Sequence, residues 1–115
     1  MAAETWLTLP DVAERMKVPV GRVRECLRDR QLLAVPRDGD GALHLPESFL
    51  VDGDDGVEAI PTLRGTILVL TDAGFTDEEA MRWLLAENDE VGSTPIDALR
   101  AGRKTLVRRV AQTSF

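Results

Sequence analysis

Residues 8–46 read TLPDVAERMKVPVGRVRECLRDRQLLAVPRDGDGALHLP, and the order of signals in that stretch leaves the chain few ways to fold. Thr8-Leu9-Pro10-Asp11 is a capping box, in which the Thr8 hydroxyl accepts from the third helical amide while Asp11 reaches back. Leu7 and Val12 stand where a hydrophobic staple closes, with Trp6 adding apolar cover. The spacing predicts a short helix over Leu9–Met16 that buries Val12, Ala13 and Met16. Lys17-Val18-Pro19 breaks it, because proline cannot continue a helix from behind but suits the first turn of a new one. A second helix is therefore predicted from residue 19 to about residue 30. At about 100° per residue, Val20, Val23, Cys26 and Leu27 form its core stripe. Gly21, Arg24, Glu25 and Arg28 occupy the opposite arc, flanked by Arg22. The outward face is cationic.

Residues 33–37 and 42–46 then flank Asp38-Gly39-Asp40-Gly41, whose Asp-Gly pairs supply the positive φ of a tight hairpin. Alternation places Leu33 and Val35, then Leu43 and Leu45, on one face, with Pro36 on an edge strand where a missing donor does little harm. Helix, break, helix and ribbon is the order of a winged helix-turn-helix: one helix to brace, one to enter a DNA groove, one β-ribbon to flank it.

Residues 51–60 are rich in Asp and Gly and read as an acidic loop or linker. Beyond Pro61 the pattern is helical. Residues 62–73 bury Leu63, Ile67, Leu68 and Leu70, and Gly74 follows as a natural C′ residue. Thr76-Asp77-Glu78-Glu79 is a second capping box, opening a helix to about residue 87 with Ala80, Met81, Trp83, Leu84 and Leu85 as its apolar content. Thr94-Pro95-Ile96-Asp97 is a third, starting a short helix that ends near Gly102. A last helix spans about residues 103–112 with Leu106, Val107 and Val110 inward. The expected class is mainly α with a small β-hairpin wing. The expected organisation is a winged helix-turn-helix over residues 1–50, an acidic loop over 51–60, and a helical region over 61–115 packed on or beside it.

A chain of 115 residues is about one domain, and 43% hydrophobic with 30% charged residues is the balance of a folded globular protein rather than a disordered one. Its best apolar run, residues 66–70, falls far short of the roughly 18 residues of a membrane span. Residues 1–10 contain Glu4 and no basic start, unlike a secretory signal. A lone Cys26 forms no internal disulfide, which fits a reducing cytoplasm. No membrane contact is expected.

The net charge of −6 opposes binding to a polyanion, but its distribution does not. Residues 12–37 hold seven basic side chains against three acidic ones, residues 51–94 two against eleven, and residues 95–115 five against one. Charge sorted in this way can present a basic face on an acidic body. Arg22, Arg24 and Arg28 suit base edges and phosphates because guanidinium donates in a planar fork. The alternative is a solvated helix face balanced by Glu25 and Asp29. Gly21 would let the backbone approach a phosphate at the positive helix end, or is a tolerated weak helix former. Lys17 in the turn and Arg37 at the wing are phosphate contacts or simply solvated cations. Arg100, Lys104 and Arg108 recur every four residues, and so are read as one helix face, which either extends the DNA footprint or pairs with the acidic middle; the second is preferred.

Catalysis has little support. His44 has no Cys or His neighbour at ligand spacing, Cys26 falls on the core stripe, and Asp52, Asp54, Asp55 and Glu58 lack the calcium-loop pattern. Gly39 and Gly41 belong to a hairpin, not to a phosphate-cradling turn. No catalytic residue, metal or cofactor is expected.

Three segments carry a family likeness: PDVAERMKVPVGRVRECLRDRQLLAVPR, IPTLRGTILVLTDAGFTDEEAMRWLL and TPIDALRAGRKTLVRRVAQ. They resemble the small actinobacterial winged-helix DNA-binding proteins whose mycobacterial member is a substrate of a Ser/Thr protein kinase. The first segment is generic to winged helices; the other two are more specific. The resemblance implies an N-terminal winged helix-turn-helix, a small helical C-terminal region, and DNA binding as the activity. It places Pro19, Val20, Arg22 and Val23 at the start of the recognition helix. Only about seven residues precede the first helix here, so the likeness does not extend to a long tail holding a regulatory phosphosite. Thr5 and Thr8 are the nearby acceptors, and Thr8 reads as a cap. A Ser/Thr kinase thus enters as a partner through the resemblance alone.

The expected function is double-stranded DNA binding by a transcriptional or nucleoid-associated regulator, with residues 19–30 in the major groove and 33–46 as the wing. Lys17, Gly21, Arg22, Arg24, Arg28 and Arg37 form the expected surface. The alternative is a protein-interaction adaptor, or a self-associating module, docking through the Trp83 helix and the acidic centre.

Overall fold

The structure is a computed structural model that describes residues 4–37, 39 and 41–113. Strand β1 (Trp6–Thr8) leads directly into helix α1 (Leu9–Met16), and Thr8 ends the one while capping the other. Both arms of its capping box are made: Thr8 Oγ1 accepts from Asp11 N at 3.3 Å, and Asp11 Oδ2 accepts from Thr8 N at 3.1 Å. Helix α2 (Val20–Arg28) follows a break at Lys17, with Pro19 as its N-cap rather than its first helical residue. Helix α1 thus matches its expected span, whereas α2 is a turn shorter than sequence periodicity suggested.

Strands β2 (Val35–Pro36) and β3 (Leu43–Pro46) form the wing, but β3 is central in a three-stranded antiparallel sheet of order β1-β3-β2. The staple region around Trp6 and Leu7 is therefore a strand. A three-residue segment with no alternation to display gave no strand signal, and only pairing with β3 forms it. Register also corrects the expected faces. Val35 pairs with His44 and Pro36 with Leu43, while Leu7 pairs with Leu45 and Trp6 with Pro46. Paired residues share a side of the sheet, so Val35 lies with His44 and Trp6, opposite Leu45 and Leu7. Both sides are covered: Val35, His44, Leu45 and Leu7 are all buried. His44 lies on wing strand β3, as expected, but is buried there, and its Nδ1 donates to the Ala42 carbonyl at 2.9 Å. The hairpin tip expected at Asp38-Gly39-Asp40-Gly41 lies partly outside the described residues; Gly39 and Gly41 have the positive φ, 79° and 81°, that the Asp-Gly pairs called for.

The acidic stretch is not a loop. Strands β4 (Leu50–Gly53) and β5 (Gly56–Ala59) pair as an antiparallel hairpin around Asp54-Asp55, in register from Leu50↔Ala59 to Gly53↔Gly56. Leu50, Val51, Val57 and Ala59 supply the apolar side chains that join it to the core, a signal masked by the Asp and Gly content around them. Four helices complete the chain: α3 (Leu63–Asp72), α4 (Asp77–Leu85), α5 (Pro95–Arg100) and α6 (Lys104–Gln112). The capping box read at Thr76 is complete, whereas at Thr94 only one arm is recorded, the hydroxyl accepting from Asp97 N.

One apolar cluster runs from Leu7 to Ala111 through every layer. Polar ties join the same regions. Arg30 Nη1 meets Asp77 Oδ1 at 3.1 Å, Arg64 Nε donates to the Asp29 carbonyl at 2.8 Å, and Arg100 Nη1 donates to the carbonyls of Ser48 and Leu50 at 2.9 and 2.7 Å. Helix α4 lies along the outer strand β2, with Trp6, Val35, Met81 and Leu85 lining a groove between them. The helical C-terminal half thus braces the wing, and among the described residues the outer face of α2 is left exposed.

Candidate nucleic-acid interface

Helix α2 is anchored by Val23 and Cys26, both buried, and by the half-buried Val20 and Leu27. Burial pushes the Cys26 thiol above its ordinary pKa, the state of an inert core group rather than a nucleophile. The opposite arc carries Gly21, Arg22, Arg24, Glu25 and Arg28, all exposed. Arg24 and Arg28 lie one turn apart and make no ion pair among the described residues. Arg22 Nη1 stands 3.6 Å from Glu25 Oε2, with 65% and 52% of the two side chains exposed. Such a pair contributes roughly 0–1 kcal/mol, so a phosphate can displace the carboxylate. A Cβ added at Gly21 would meet nothing within 4 Å. Its small size answers no packing demand within the chain; it keeps the helix surface low.

Lys17 ends α1 in the left-handed region at φ 58°, and Arg30 follows α2 in the same way at φ 62°. In both cases an amide one residue further on donates five residues back, Val18 N to Ala13 O and Gln31 N to Cys26 O. These are Schellman closures, in which glycine is the least strained choice. Arg30 has a structural use there, its pair with Asp77. Lys17 is exposed and makes no ion pair among the described residues. Lys17 thus holds an exposed cation in a strained conformation beside the start of α2.

Arg37 leaves β2 exposed, its guanidinium 3.9 Å from the centre of the Trp6 ring. The stacking holds the cation, and its N–H groups make no hydrogen bond among the described residues. Sequence reasoning missed Trp6 in this part, since nothing in the local pattern connects a residue before the first cap to one in the wing. Lys17, Gly21, Arg22, Arg24, Arg28 and Arg37 are thus all at the surface. Arg15, counted with the basic stretch, is not free: it pairs with Glu47.

The expected C-terminal stripe is broken. Gly102, at φ 84°, separates α5 from α6, so Arg100 is not on the helix of Lys104 and Arg108. Arg100 is spent on backbone carbonyls, and neither Lys104 nor Arg108 pairs with the acidic middle among the described residues.

Comparison with known proteins agrees with this geometry. Residues 1–50 match the family model described as DNA-binding protein Rv2175c, wHTH domain, and residues 60–114 match the Rv2175c C-terminal domain of unknown function. The chain is 34% identical to the DNA-binding protein Rv2175c of Mycobacterium tuberculosis, over 90% of this chain and 76% of that protein. The chain belongs to the Rv2175c family of winged-helix DNA-binding proteins. The NMR structure of Rv2175c superposes with a TM-score of 0.82 at 32% identity, covering 99% of this chain and 83% of that one. The boundary between the two Rv2175c family regions falls in the β4–β5 hairpin, which the apolar core crosses without a gap.

Proposed function

We propose that this chain binds double-stranded DNA with α2 in the major groove and the β2–β3 wing against the neighbouring backbone, as a transcriptional or nucleoid-associated regulator. The observation that carries the reading is the solvent-facing arc of α2, where Arg24 and Arg28 are exposed and, among the described residues, have no carboxylate partner and nothing of the C-terminal half over them. Arg22, Arg24 and Arg28 project from the element that fits the groove, and their forked donors suit guanine edges and phosphate oxygens. Lys17 and Arg37 flank them as phosphate contacts, and Gly21 lets a phosphate come close to the helix backbone. Membership in a family named for DNA binding supports the same reading. Four or five cationic contacts correspond to a log–log salt slope of roughly −4 for this face.

The test is Arg24→Ala combined with Arg28→Ala. The double variant is expected to lose its gel shift on duplex DNA at low salt and to keep the wild-type helical circular dichroism. Absence of a shift by the wild-type chain on any duplex pool at about 50 mM salt, where this electrostatic binding is strong, would transfer the surface to a protein partner.

A further inference from the structure

Helix α6 divides its circumference cleanly. Val107, Val110 and Ala111 are buried and Leu106 half-buried, while Lys104, Thr105, Arg108, Arg109 and Gln112 face outward around a shallow notch of about 220 Å³. No acidic residue lies on α6, and none of its three cations makes an ion pair among the described residues. Arg108 lies over α3: a Cβ on Gly65 would collide with its guanidinium. The preceding residue, Arg64, is exposed and reaches the carbonyl of Asp29, the C-cap of α2. Helix α3 therefore adjoins both cationic helices, with Arg64 on the end of α2 and Gly65 beneath Arg108 of α6.

We propose that the outer face of α6, with Lys104, Arg108 and Arg109, is a second binding surface for the DNA sugar–phosphate backbone. It rests on the reading of α2 as the groove-entering helix and gives the C-terminal half a share in the same ligand. Charge complementarity, and the contact that α3 makes with both α2 and α6, argue for DNA as the occupant. A nine-residue helix is about 13 Å long, enough to follow three or four phosphates at 3.4 Å of axial rise per strand. Lys104 and Arg108, one turn apart, with Arg109 beside the latter, suit phosphate rather than base readout. The surface therefore adds affinity and salt dependence without sequence preference.

The experiment titrates the full chain against a labelled duplex of about 25 base pairs between 50 and 200 mM salt, a range over which each phosphate contact has a visible slope. Lys104→Gln/Arg108→Gln/Arg109→Gln is expected to weaken binding at least about tenfold near 0.1 M salt and to reduce the slope by two to three. Affinity should fall by the same factor for every duplex sequence tried. Lys104→Gln/Arg109→Gln keeps Arg108 on Gly65 and serves if the triple variant fails to fold, with an expected slope reduction of about two. An unchanged slope and affinity in a folded variant, with Arg24→Ala/Arg28→Ala still abolishing binding, overturns the role of α6 and leaves that of α2 intact. A wild-type chain that binds no duplex overturns both.

Discussion

Helix endings in this protein separate structure from function at single positions. The two C-terminal-half closures at Gly74 and Gly102 use glycine at φ 101° and 84°, whereas those at Lys17 and Arg30 place a long cation in the same left-handed conformation. The conformational cost is roughly 1 kcal/mol at each non-glycine position. Arg30 offsets it through Asp77; Lys17 has no such return within the described chain. Lys17→Gly is accordingly expected to raise unfolding free energy by about 0.5–1 kcal/mol in a denaturant titration. The same change should weaken duplex binding and lower the salt slope by about 0.9. Stability and affinity moving in opposite directions would mark a residue retained for its ligand; a gain in stability with unchanged affinity would remove Lys17 from the interface.

At the scale of elements, short helices depend on their ends. The capping box of α4 is complete, with Thr76 N donating to Glu79 Oε1 at 2.8 Å and Glu79 N donating to Thr76 Oγ1 at 3.1 Å. The hydrogen bond from the Thr76 backbone, followed by that from its hydroxyl, holds the Glu79 carboxyl below its ordinary pKa. A carboxyl depressed in the folded state contributes stability that is fully present above its unfolded pKa, about 4.3, and is lost as pH falls through the lower folded value. Thermal midpoints of wild type and Glu79→Gln are therefore expected to differ most above about pH 5 and to converge toward pH 3. A constant offset across that range would show that the carboxylate charge is not what the cap uses. Because α4 lies along β2, loosening its first turn also loosens the support of the wing.

For the whole molecule, the decisive property is a single core shared by regions that family boundaries separate. Leu84 in α4 is fully buried in that cluster. Leu84→Ala is expected to cost about 2–5 kcal/mol, and to do so for both halves together. Amide hydrogen exchange should then accelerate in α2 as well as in α4, with one coincident thermal transition by all probes. Persistent protection of α2 in this variant would mean that the winged half folds independently of the brace beneath it.

Local chemistry made much of this architecture legible in the chain itself. The caps at Thr8, Thr76 and Thr94, the break at Lys17-Val18-Pro19, the amphipathic split of α2 and the positive φ of Gly39 and Gly41 all depend on neighbours within a few residues, so sequence spacing alone expresses them. The cationic arc of α2 was legible for the same reason. Long-range pairing was not. Strand β1 exists because β3 has room on one edge, the β4–β5 hairpin exists because its few apolar residues meet the core, and His44 and Val35 share a face because register says so. Tertiary packing also sorted cations that look alike in the sequence. It committed Arg15, Arg30 and Arg100 to partners far along the chain and left Lys17, Arg24 and Arg28 facing water. A side chain's type and spacing fix what it can bind, but which charges remain free depends on carbonyls and carboxylates that only folding brings near.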